Sequence, residues 1–134
     1  MADRDLAREC CDSVRKPSHV LALWIVPGVV AAAAFLAAAR LPWLLLLGAT
    51  ACVVMGVACV VNASRSHRLH CYLTGPYFLL LAFAAAMAFV FDARDAHRAG
   101  VWLLVALAFA PLLVWLPERI AGVTYRDSSA PKRS

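Results

Sequence analysis

Eight side chains in this sequence have the chemistry to hold a soft metal ion. They fall into three groups: Cys10 and Cys11; Cys52, Met55 and Cys59; and His67, His70 and Cys71. Thiolate, thioether and imidazole are donors that suit ions such as Hg(II) and Cu(I). Cys10-Cys11 is a vicinal pair in a polar stretch, an uncommon place for a residue that prefers burial. Adjacent thiols can share a two-coordinate ion. Cys52, Met55 and Cys59 are spaced i, i+3, i+7, which puts three sulfurs on one face of a helix, and Asn62 continues that face. Packing explains this stripe more simply. Gly48, Cys52 and Gly56 form a small-xxx-small pattern, and Cys packs there as a small residue.

The densest group lies in Asn62 to Pro76, NASRSHRLHCYLTGP. Two imidazoles and a thiol follow an H-x-x-H-C spacing that matches no standard zinc site. Thr74-Gly75-Pro76 predicts a helix start, with Thr74 or Gly75 as N-cap and Pro76 at the first helical position. Its free N–H groups, beside Arg65 and Arg68, would attract an anion. A basic loop with a helix cap accounts for the arginines, Thr74, Gly75 and Pro76. It leaves His67, His70 and Cys71 unexplained, so this trio is the leading site candidate.

The elements that must position these groups follow from composition. Of 134 residues, 63% are hydrophobic and 16% charged, against roughly half and a quarter in soluble domains. The charges cluster between four long apolar runs, 19–39, 41–61, 72–91 and 101–117. A bilayer core takes about 20 helical residues, and open strands cannot satisfy their backbone in lipid. The expected fold is therefore all-α: an integral membrane protein with about four transmembrane helices in an up-down bundle. Residues 1–18 form an N-terminal tail and 118–134 a C-terminal tail, disordered toward its end. The fourth run is short, and Pro111 is expected to kink it. The first run is too long for a signal peptide and no small-residue cleavage site follows it. The three-residue connection Arg40-Leu41-Pro42 makes the first two helices antiparallel neighbours.

Orientation follows from the cations. Arg4, Arg8, Arg15, Lys16, Arg65, Arg68, Arg119, Arg126, Lys132 and Arg133 fall on one side, and Arg40, Arg94 and Arg98 on the other. The positive-inside rule puts both termini and the second loop in the cytoplasm. The expected location is a bacterial cytoplasmic (inner) membrane. In that reducing compartment Cys10, Cys11 and Cys71 are expected as thiols rather than disulfides.

Several functions are disfavoured. No C-x-x-C, H-E-x-x-H, G-x-S-x-G or P-loop is present, so no enzyme is expected. No basic stripe interleaved with aromatics suggests nucleic-acid binding. Apart from His19 at the edge of the first run, the spans contain no Asp, Glu or His of the kind a proton relay needs. Sulfur is the reactive chemistry at membrane depth.

The stretch GVACVVNASRSHRLHCYLTGPYFLLLA, with LPERIAGVTY near the end, resembles an uncharacterised family of small bacterial multi-pass membrane proteins. That family carries a VNAxRxxRxHCYxTGPxFLL motif and a late proline-glutamate pair. The resemblance covers about residues 53 to 83 and 116 to 125. Cys59, Asn62, Arg65, Arg68, His70, Cys71, Thr74, Gly75, Pro76, Pro117 and Glu118 match it. Ser66 stands where members often have Cys, so one potential thiol ligand is missing here. The family is loosely associated with heavy-metal, especially mercury, resistance.

The functional expectation is thus a small inner-membrane protein that binds or transports a soft heavy-metal ion, mercuric or cuprous, through cysteine thiols. The alternative is a non-catalytic accessory subunit packing in a larger membrane complex. Expected partners are the lipid bilayer and further copies or subunits. No cofactor is expected beyond a bound or transported Hg(II) or Cu(I).

Overall fold

The computed structural model describes residues 17–66, 69–91 and 95–121. Among these the regular structure is entirely helical. The first helical run, α1, comprises Pro17–Val20, a π-helical turn Leu21–Ile25 and Val26–Ala37. It is followed by α2 (Leu44–Ser66), α3 (Leu69–Phe91) and α4 (Ala96–Ala121). Two tight turns join α1 to α2. The Arg40 N–H donates to the Ala37 carbonyl at 3.0 Å, and the Leu44 N–H to the Leu41 carbonyl at 3.0 Å. The connections are short enough to make successive helices antiparallel. The four pack in a ring, α1 and α3 each touching both α2 and α4.

Small residues set the close contacts. A β-carbon added at Gly48 would strike the Phe35 ring, and one at Gly100 would strike the Phe35 carbonyl oxygen. Phe35 of α1 is thereby held between α2 and α4. Two turns further along α2, a β-carbon at Gly56 would lie 2.9 Å from Leu79 and 3.2 Å from the Gly75 carbonyl oxygen. In lipid, helices associate through such close van der Waals packing rather than through hydrophobic expulsion.

The polarity of the bundle is inverted relative to a soluble protein. Val53, Val54, Val57, Val60 and Val61 of α2 face outward, and on α3 Leu80 is 67% and Phe83 63% exposed. Asn62, His70 and Thr74 are buried instead. An apolar exterior of this extent would drive a water-soluble monomer to aggregate. Three segments are long and apolar enough to cross a membrane: Leu44–Arg65, His70–Phe91 and Ala96–Leu113. The apolar part of α1, Leu21–Ala37, is shorter.

Two helices differ from the sequence expectation. α3 begins at Leu69, so Pro76 lies inside the helix rather than at its first position. Thr74 and Gly75 are helical as well, and no N-terminal anion seat exists there. Starting the helix early lets His70 and Cys71 bury against α2, a tertiary gain that local capping rules do not register. α4 runs from Ala96 to Ala121, through Pro111, and is longer than the 101–117 span.

Candidate functional site

The short connection between α2 and α3 fixes which residues face each other. The Cys59 sulfur lies 3.2 Å from Thr74 Oγ1, and Asn62 Nδ2 lies 3.3 Å from the Cys71 sulfur. Each pair adds to the same number, so one helix turn separates the two contacts along both helices, roughly 4.5 Å at 1.5 Å per residue. Cys59 and Cys71 therefore line the same α2–α3 seam, each with its sulfur against a polar group of the facing helix. Both cysteines are fully buried. The glycine contact of Gly56 with Gly75 sits one turn away and lets the helices approach this closely.

Donor and acceptor counting orders the protons. Thr74 has one hydroxyl hydrogen, and it donates to the His70 carbonyl at 2.9 Å. Its oxygen is then the acceptor for the Cys59 S–H. Asn62 donates its amide N–H to the Cys71 sulfur. The result is two short relays, Asn62 to Cys71 and Cys59 to Thr74 to the His70 carbonyl. The His70 side chain also reaches the Cys71 thiol. Buried polar groups need such partners, because an unmet one costs on the order of 1–3 kcal/mol.

No protein-family model, curated protein or solved structure matches this chain.

The expected ligands are therefore only partly gathered. Cys59 and Cys71 line the α2–α3 seam, and His70 is buried next to Cys71 in α3. Cys52 and Met55 are buried on the same face of α2, but Cys52 lies two turns from Cys59, roughly 10 Å along the axis. Met55 packs near Gly28 of α1. Among the described residues no three His, Cys, Asp or Glu side chains converge as a metal site. Cys10, Cys11 and His67 lie outside the described residues. The sulfur stripe is real as a face, and every member of it that is described packs inward.

Thr74 was read from sequence as a cap, and its role as acceptor for a thiol was missed. The signal was available. A hairpin with a minimal connection sets antiparallel register, and register places Thr74 opposite Cys59. Tyr77 was also missed: its hydroxyl donates to the Ala106 carbonyl and ties α3 to α4.

Proposed function

We propose that this chain is a small protein of the bacterial inner membrane that binds, and passes across or along the bilayer, a soft heavy-metal ion held between Cys59 and Cys71. The single observation behind this reading is the approach of two buried thiols from adjacent helices, each with a polar partner and neither in a disulfide. Four crossings are proposed. The unbroken helical run of residues 17–37 measures roughly 31 Å at 1.5 Å per residue, enough for a hydrocarbon core of about 30 Å. Both termini are proposed to be cytoplasmic, on the ten-to-three bias of Lys and Arg. The thiol pair then sits near the cytoplasmic end of the bundle.

Charge selects among soft ions. Two thiolates neutralise one mercuric ion, whereas one cuprous ion between them leaves a net negative charge. Burying an uncompensated charge is costly, so the divalent, two-coordinate ion suits this apolar seam better. Binding releases two protons: the metal–sulfur bonds replace both S–H bonds.

The test is titration of the purified, reduced protein with Hg(II), carried out in a variant where Cys10 and Cys11 are serine. One ion per chain should bind, with an ultraviolet thiolate-to-metal charge-transfer band. Cys59→Ser and Cys71→Ser should each abolish it. Binding that persists unchanged in both variants would remove the proposal.

A second reading, a structural subunit of a larger complex, draws on the outward-facing small residues Ala33 and Ala84, where a further helix can approach closely. Recovery from native membranes only as a lone monomer would count against it.

A further inference from the structure

A cavity of about 410 Å³ opens between α1 and α4, lined by Trp24, Gly28, Phe78, Leu107, Pro111 and, at its floor, Met55. Its wall is apolar throughout. Pro111 at its rim is exposed on the outer face of the bundle, and so are Ile25 and Val29 beside it. Met55 closes the inner end, and its thioether sulfur is 3.9 Å from where a Gly28 β-carbon would stand. One turn along the same face of α2 is Cys59, within the 5–6 Å or so that separates side chains at i and i+4. Trp24, on the cavity wall, belongs to the π-helical turn of α1, and such turns recur at functional positions.

We infer that this groove admits neutral, lipid-soluble compounds of a soft metal sideways from the bilayer, and that Met55 hands the metal to Cys59 and Cys71. The inference rests on the proposed thiol site and adds its substrate class and its entrance. A hydrated cation gains nothing from an apolar wall and would lose its hydration there. An uncharged dihalide of a divalent soft metal partitions into hydrocarbon and keeps its charge internally balanced. At the floor of the groove, the Met55 thioether adds to the metal without giving up a proton, so no charge appears. The Cys59 and Cys71 sulfurs then replace the two halides. The Met55–metal bond breaks in this transfer; two metal–thiolate bonds and two hydrogen–halide bonds form, two metal–halide bonds and two S–H bonds break, and two equivalents of hydrogen halide leave. No electrons are transferred. Met55 is thus a positioning residue on the path, outside the final two-thiol set.

The experiment uses the full chain with Cys10→Ser and Cys11→Ser, reconstituted in phosphatidylcholine vesicles. Mercuric chloride at low-millimolar chloride, where the neutral dichloride is the main species, is the neutral probe, and the mercuric complex of glutathione is the charged one. Loading is followed by stopped-flow absorbance of the thiolate charge-transfer band. Mercuric chloride should load faster than the glutathione complex. Met55→Leu, close to isosteric, should slow loading by mercuric chloride about tenfold while leaving the final stoichiometry at one, as for removal of a group that supports a ligand set. Gly28→Leu, which fills the groove, should do the same, and its circular dichroism checks that it folds. Equal loading rates in the parent and both variants, with the band intact, overturn the groove alone. A parent protein that shows no band overturns the thiol site and the groove together.

Discussion

Replacing Gly75 by alanine tests the close approach of α2 and α3 directly. The new methyl would stand 2.9 Å from Val60 Cγ2, 3.3 Å from Cys59 Cβ and 3.4 Å from the Val60 nitrogen. Carbon atoms rest at about 3.5–4.0 Å, so α3 must retreat by roughly half an ångström or Val60 must turn. Val60 is β-branched and within a helix, where essentially one rotamer is open to it, so turning is expensive. Overpacking of this kind costs about 1–3 kcal/mol. Alanine returns about 1 kcal/mol over glycine in a helix. The net expectation for Gly75→Ala is a loss of about 0–2 kcal/mol by combining these two terms. Gly28→Ala is the control. Its methyl would meet only the Met55 sulfur at 3.9 Å, ordinary contact, so the same chemical change should keep the propensity gain and stabilise by about 1 kcal/mol. Equilibrium unfolding in mixed micelles with rising dodecyl sulfate, read by circular dichroism, measures both. Gly75→Ala proving as stable as Gly28→Ala would refute the tight α2–α3 seam, and with it the geometry of the thiol pair.

Gly100→Ala should be the most damaging glycine change, because its methyl meets the Phe35 backbone rather than a movable side chain; the same unfolding assay ranks it. Thr74→Val keeps the shape but removes the acceptor of the Cys59 thiol and the bond to the His70 carbonyl. It should cost about 1–3 kcal/mol and lower mercuric affinity in a competition titration. Tyr77→Phe frees the Ala106 carbonyl and should loosen α4 from α3 at a cost of about 1 kcal/mol, visible as faster amide exchange in α4. Arg119 lies 4.6 Å from the centre of the Trp115 ring, and Arg119→Gln should shift tryptophan fluorescence while changing stability by only about 0.5–1 kcal/mol.

The all-helical fold and three membrane-length helices were legible in the sequence because they depend on composition and on runs of apolar residues. What misled was local chemistry. Thr74-Gly75-Pro76 is a good helix start by every short-range rule, yet all three lie inside α3. The rules weigh the backbone of a few residues, and burial of His70 and Cys71 against α2 outweighed them. The fourth span read as short from its apolar run, and α4 extends beyond it at both ends, from Ala96 to Ala121. Within the candidate site, the sulfur face on α2 was readable from spacing alone. The pairing of Cys59 with Cys71 required the register of the hairpin, a relation between two helices that spacing along one helix does not contain.

That hairpin has a further consequence. Cys59 and Cys71 are separated by only a dozen positions, and every group that orders their protons lies between Cys59 and Thr74. Closing so short a segment loses little chain entropy, since the penalty grows only with the logarithm of length. The two sulfurs are therefore held at high effective concentration for each other, which is what the proposed metal site requires. They should come together as soon as α2 and α3 are both inserted, before α1 and α4 have docked. If the proposed thiol site is right, a fragment of α2 and α3 alone should still bind the mercuric ion, but without the entrance that α1 and α4 contribute.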